Sequence, residues 1–261
     1  MEFDADYLKR YMRHTQFAEF GSEGQLRLAQ SRALVVGVGG LGSWSSELLV
    51  RAGVGHIRIC DNDRVDITNL HRTAQYVERD VAERRLKAEA AAARLRAIRS
   101  DCRIEAFAER VDFLTLPKAA DGVDIILDGT DNFETRFLIN DYAVKYNIPW
   151  VFAGVMEGQG QVAAMIPGKT PCLRCILPSV PSRGEPFGVL GPVVAFISAL
   201  QAVEAVKILS GHANKANPCL MKIDLWNNSI QKIPLSKLWP TQPCPCCGRK
   251  EFEFLEPSNL T

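Results

Sequence analysis

The sequence predicts a doubly wound α/β fold, a mostly parallel sheet with helices wrapped around it. Three observations carry this reading. Apolar, strand-like runs alternate with helical stretches through residue 130; the first run, RALVVGV, leads directly into the glycine-rich turn GVGGLGS; and GVDIILDGT is continuously apolar, as strands buried on both faces are. The second half has a different rhythm and predicts a mixed, antiparallel extension.

Taken in order, residues 4–30 read as one or two polar amphipathic helices. A short strand follows from Arg32, then the glycines, then a helix over 43–52. HIRICD (56–61) is the next strand, ERRLKAEAAAARLRAI (83–98) a long alanine-rich helix, CRIEAFAE (102–109) a strand, and 122–130 the apolar strand already named. That is βαβαβ. Beyond it PWVFAGV, QGQVAAMI and LMKIDLW read as strands, and VVAFISALQAVEAVKILSG reads as a helix ended by its glycine. Residues 178–191, with their proline, glycine and serine, read as a mobile loop. With no internal repeat or low-complexity segment, the chain reads as one domain over 1–261: N-terminal helices at 1–30, a nucleotide-binding half at 31–150 and a second half at 151–261.

Composition narrows the function classes. At 261 residues, 47% apolar and 23% charged, the chain can bury one sizeable core. Its 31 basic and 30 acidic residues nearly cancel, so no whole-molecule field argues for nucleic acid or an anionic membrane as partner. The start MEFDADYLKRYMRH lacks an apolar h-region, and no run is read as approaching the roughly 18 apolar residues of a membrane span. The expected location is the cytoplasm, where the eight cysteines read as core residues, metal ligands or reactive groups rather than disulfides.

In a strand–GxGxxG–helix turn, glycine makes the tight corner and lets a phosphate approach the backbone and the positive end of a helix, here at Gly37, Gly39, Gly40 and Gly42. Asp61 ends the next strand 19 residues after Gly42, where an acid commonly bonds a ribose hydroxyl. Together these support an adenosine phosphate without choosing between a dinucleotide and a triphosphate. The residues after Asp61 favour the triphosphate. Asp63, Asn69 and Arg72 lie just beyond the strand and Lys87 lies early on the next helix; a triphosphate needs such cations, whereas a dehydrogenase needs room there for the second half of its dinucleotide. The segment DGTDN puts Asp128, Asp131 and Asn132 at the carboxyl end of an apolar parallel strand, where ligands sit in open α/β sheets. Asp128 reads as a buried capping residue, Asp131 as a Mg²⁺ or catalytic carboxylate.

Cys172-x-x-Cys175 and Cys244-x-x-Cys247 have thiolate-ligand spacing, and joined in space they would make a closed zinc site that pins the tail to the loop after Ile166. Cys246 competes with Cys247 for the fourth place, and the CxxC spacing favours Cys247. Cys60, Cys102 and Cys219 read as core or edge residues, and the four scattered histidines as structural.

The set RYMRH, GVGGLGS, DNDRVDITNLHR, LKAEAAAARLRAI, DGTDN, PCLRC, GPVV…LQAVEAVKIL and CPCCG closely resembles the ThiF/MoeB/HesA family, bacterial relatives of ubiquitin-activating enzymes, in order and over nearly the whole chain. The resemblance implies a Rossmann-like fold and ATP-dependent adenylation of the C-terminal glycine of a small ubiquitin-like sulfur-carrier protein. It implies an ATP-binding first half and a carrier-binding second half with a zinc-bound tail. Carried over residue by residue, Asp61 would hold the ribose, Asn69, Arg72 and Lys87 the phosphates, and Asp131 the Mg²⁺. Arg13 would reach into the active site of the other subunit of a homodimer. Two extra residues lie between Asp80–Val81 and Lys87 compared with the usual spacing, so Arg84 or Arg85 competes with Lys87. Relatives that hold the activated partner covalently carry a cysteine four residues ahead of the glycine that is Gly188 here; this chain has Gly184 there. The implied chemistry therefore stops at the acyl-adenylate, with an outside sulfur donor. Rival readings are adenylation of a small-molecule or tRNA-bound carboxylate, a nicotinamide-dependent oxidoreductase, and a catalytically silent binding subunit that docks a carrier protein.

Overall fold

The run RALVV forms β1 (Arg32–Val36), an interior strand whose side chains are buried alternately on both faces: Ala33 and Val35 enter one core, Leu34 and Val36 another. In the computed structural model, which describes residues 5–181 and 187–256, it pairs in parallel with β2 (His56–Cys60) and β4 (Ile125–Asp128). On the outer side β2 pairs with β3 (Arg103–Phe107), and on the other side β4 pairs with β5 (Trp150–Met156), all parallel. Parallel neighbours require crossovers, and helices supply them. The glycine turn feeds α4 (Gly40–Ala52), preceded by three short N-terminal helices, α1 (Ala5–Arg10), α2 (Met12–Thr15) and α3 (Gly21–Gln30). Between β2 and β3 lie α5 (Glu78–Ala82) and α6 (Lys87–Ile98); α7 (Leu116–Ala119) precedes β4, and α8 (Phe133–Tyr146) joins β4 to β5.

From β5 the sheet turns antiparallel, through β6 (Gln159–Met165), β7 (Cys219–Asp224) and the edge strand β8 (Ser229–Pro234). The order is β3-β2-β1-β4-β5-β6-β7-β8. The strand order reverses between β1 and β4, and in open α/β sheets the crevice outside the carboxyl ends at that switch point receives the ligand.

The doubly wound sheet with its antiparallel extension agrees with the sequence reading; several element boundaries do not. The helix expected at 43–52 begins three residues earlier because the glycines form its first turn. The helix expected at 83–98 starts only at Lys87, because Arg84 takes a left-handed conformation (φ 51°) in a turn after α5. Helix α8 and strand β8 were not anticipated. The long helix α10 (Gly191–Leu209), which follows the short α9 (Leu173–Ile176), is the one helix among the described residues long and apolar enough to cross a membrane, contrary to the expectation that no run approaches that length. Half of it is buried in the protein, where it packs against α4, β5 and β6.

Candidate nucleotide site and four-thiol centre

The glycine turn is built by close backbone contact. Gly37 has φ +82°, and a Cβ there would lie 2.8 Å from the Gly129 carbonyl oxygen. A Cβ at Gly42 would stand 1.8 Å from the Gly37 oxygen, so α4 can lie on its own turn only without one. Gly39 caps α4 with no side-chain hydrogen bond, and nothing lies within 4 Å of where its Cβ would be. The N-terminus of a 13-residue helix thus opens onto free space at the switch point, where unpaired amides and the helix dipole favour an anion.

Asp61 ties this turn to β2. One carboxylate oxygen accepts the Val38 amide and the other the Asp63 amide, each at 2.9 Å. Burial raises its pKa above the ordinary aspartate value, against the field of Lys87. Lys87, nearly buried at the first position of α6, holds the Asp63 carboxylate at 2.9 Å while its amide donates to the Asp63 carbonyl. Arg85 is engaged elsewhere, with Asp80 at 3.0 Å, and Arg84 is exposed. Arg72 runs its side chain over Gly40, with Cδ 3.7 Å from the position of a Cβ, and its carbonyl accepts the Trp44 indole N–H. Asn69 is buried, and its Oδ1 accepts the Asp66 amide in a capping box that shapes the loop carrying Arg72.

Asp128 is fully buried: it accepts from the Thr130 amide and hydroxyl and pairs with Arg136 at 2.9 Å. Asp131, three residues on, is exposed, and the Asn132 side chain caps α8 through the Thr135 amide. Sequence reasoning missed two supports here. Arg136 also donates to the Thr130 and Ala153 carbonyls, fixing the turn that presents Asp131. Gln201, on α10, donates to the Asp128 and Val151 carbonyls and accepts the Ser45 hydroxyl, clamping α4 to β4 and β5. Both are buried polar residues on helices, where their charge or amide looks like an interruption of the apolar pattern.

Arg13 is not among these groups. It is exposed on α2, bonded to Gln16. The neighbouring Tyr11 packs at Gly53, which ends α4, and a 13-residue helix at about 1.5 Å per residue puts that end about 18 Å from the glycine turn. Gly184 lies outside the described residues.

The four expected thiols do meet. Sγ–Sγ distances are 3.8 Å for Cys172–Cys175, 3.7 Å for Cys172–Cys244 and 3.4 Å for Cys175–Cys247, and all four lie within 4.8 Å of one another. Tetrahedral zinc with sulfur at about 2.3 Å separates its ligands by about 3.8 Å, so the set fits that ion. Each knuckle is folded by backbone: the Cys175 amide donates to the Cys172 carbonyl, the Gly248 and Arg249 amides to that of Cys244. Cys246 is fully buried behind the cluster, accepting from Asn140, and is not one of the four. Cys60 and Cys102 are core thiols whose burial pushes their pKa up to about 12 and about 11.

A glycine turn with an open helix terminus, a backbone-bonded acid at the next strand end and cations beside them, at the switch point of a doubly wound sheet, mark an α/β protein whose crevice favours an anionic ligand. The ThiF family matches residues 11–246, and the chain belongs to it. It is 38% identical over 255 residues to the sulfur carrier protein ThiS adenylyltransferase of Bacillus subtilis, covering 97% of this chain and 75% of that one. It is 35% identical to the SAMP-activating enzyme E1 of Haloferax volcanii, covering 98% and 94%. Among solved structures it resembles Escherichia coli MccB with AMPCPP and MccA, with a TM-score of 0.79 and 26% identity over 94% of this chain and 77% of that one.

Proposed function

We propose that this protein is an adenylyltransferase that uses MgATP to activate the C-terminal glycine of a small ubiquitin-like sulfur carrier. The observation that carries the reading is the open α4 terminus, with Asp61 bonded to the Val38 amide of its turn, Arg72 lying over Gly40 and Lys87 held to Asp63 two residues beyond Asp61; Asp131 follows Thr130, whose backbone lies against Gly37. The names of the Bacillus subtilis and Haloferax volcanii relatives support the carrier over a small-molecule or tRNA-bound carboxylate, and over a nicotinamide reaction.

Asp61 accepts from the ribose. The α4 amides, Arg72 and Lys87 face the phosphates, with Asn69 holding their loop, and Asp131 supplies a carboxylate to Mg²⁺ with Asn132 beside it. The carrier carboxylate attacks the α-phosphorus, the bond to the β-phosphate breaks, and pyrophosphate leaves. The attacking group is already an anion, so no general base is needed; the protein must neutralise charge as phosphorus becomes pentavalent. Arg13 acts in trans, in a homodimer, which agrees with its place at the far end of α4. The four-thiol centre holds zinc and anchors the tail. An outside sulfur donor completes the reaction, in the cytoplasm.

Isotope exchange between ATP and pyrophosphate tests this. It should require a carrier ending in Gly-Gly, and Asp131→Ala or Arg72→Ala should lower it by about 10²-fold or more, the size of losing one transition-state charge partner. Carrier-independent exchange would overturn the substrate; near-normal exchange in Asp131→Ala would overturn the metal role.

A further inference from the structure

The four-thiol centre is closed on its inner side and open on its outer side. Inward stand Cys246, Asn140 and Asp141, all fully buried, and Arg174, which pairs with Asp141 and Glu253. Cys172, Cys175 and Cys244 are buried, whereas Cys247 is only half-buried. Outward lies a cavity of about 590 Å³ formed by the end of α8, the turn at Pro167 and Gly168 and the tail from Trp239 to Lys250; Cys247 and Cys244 are part of its wall. Its charged lining groups are Lys145 and Lys250, both exposed, and no carboxylate lines it. Trp239, 46% exposed, gives it an apolar side.

A structural zinc site needs no cavity at its ligands. A cluster whose least buried ligand, Cys247, lines a space that also carries two lysines can be reached there by an incoming ligand, while Cys172, Cys175 and Cys244 are buried. The geometry points to an access port: the metal is loaded and withdrawn through this cavity by a small anionic chelating ligand, with exchange beginning at Cys247. This inference rests on the zinc reading above. In the exchange, a donor atom of the incoming chelate forms a bond to the metal as the Cys247 sulfur–metal bond breaks. The thiolate leaves with its electron pair, no oxidation state changes, and the remaining sulfurs follow in turn. Lys145 and Lys250 raise the local concentration of the anion.

The test uses the zinc-loaded protein under native conditions. Metal analysis first establishes about one zinc per chain; its absence would sink both the zinc reading and the port. With zinc present, release to EDTA should rise in proportion to EDTA concentration. The double variant Lys145→Gln/Lys250→Gln should slow it several-fold at low ionic strength and far less at ~0.5 M salt, where the Debye length shrinks to a few ångströms. Release to the neutral chelator 1,10-phenanthroline should change little in that variant. Limited alkylation with iodoacetamide, mapped by mass spectrometry, should label Cys247 first among the four. A release rate independent of EDTA concentration would show that zinc leaves only when the tail unfolds, and first labelling at Cys172, Cys175 or Cys244 would place the opening elsewhere; either leaves the zinc site standing and overturns the port.

Discussion

Lys87 and Asp63 are joined twice: the ammonium lies 2.9 Å from the carboxylate, and the Lys87 amide donates to the Asp63 carbonyl at 2.8 Å. The partners differ in exposure, with the lysine side chain 10% exposed and the aspartate 64%. The cation is therefore held in place by the fold while its counter-ion is free to turn toward solvent, which leaves the ammonium available to a phosphate.

Lys87, rather than Arg84 or Arg85, should carry the phosphate contact. Lys87→Ala should lower carrier-dependent exchange by about 10²-fold. Arg84→Ala and Arg85→Ala should stay within a few-fold of the parent, since one guanidinium is exposed and the other is committed to Asp80. A larger loss in either arginine variant would reverse the assignment.

The buried Asp128–Arg136 pair underlies the turn that carries Asp131. Arg136→Met would leave a fully buried carboxylate without its counter-ion and should destabilise the protein by about 3–5 kcal/mol, read from urea denaturation. Adding Asp128→Asn should restore part of the loss by removing the stranded charge. A loss under about 1 kcal/mol would mean water or a neighbouring cation replaces Arg136 there.

His56 gives the stability a pH dependence. Burial lowers its pKa below the ordinary value of about 6.5, more than Glu105, 3.4 Å away, raises it. The unfolded chain thus takes up this proton at a higher pH than the folded one, so stability is full above about 6.5 and falls as acidification passes through the lowered folded pKa. Denaturation midpoints measured across that window should drop in the parent and flatten in His56→Gln; equal slopes in the two proteins would remove His56 as the cause.

The parts of this molecule that were legible in its sequence are those where one residue type has one physical use. Gly37 and Gly42 announce the turn because a Cβ at either meets backbone, and the CxxC pairs announce a metal site because their spacing has few other uses. Helix α8 was missed because every residue from Arg136 to Val144 is buried, so it has no polar stripe to set a period, and its buried Arg136, Asn140 and Asp141 look like surface. Asn132 at its N-cap and Asn147, left-handed at its end, were readable signals that went unused. β8 was missed because four of its six residues are exposed, which leaves an edge strand without apolar alternation. The support that Gln201 gives to β4 and β5 depends on contacts 50 and 73 residues away, and no local pattern encodes those.

The position of Arg13 makes a dimer test decisive. Tyr11, two residues before it, sits at the opposite end of α4 from the glycines, and the Arg13 guanidinium bonds Gln16. If it serves a second subunit, Arg13→Ala and Asp131→Ala should each be inactive alone and recover activity when mixed under conditions of subunit exchange. In a two-fold dimer, random exchange makes about half the dimers hybrids, each with one site that has both residues intact, so about a quarter of all sites should work. Exchange is followed independently by mixed-mass dimers in native mass spectrometry. Hybrids that form and remain inactive would put Arg13 either outside catalysis or in its own chain's site, and only the second would require α2 to move when nucleotide binds.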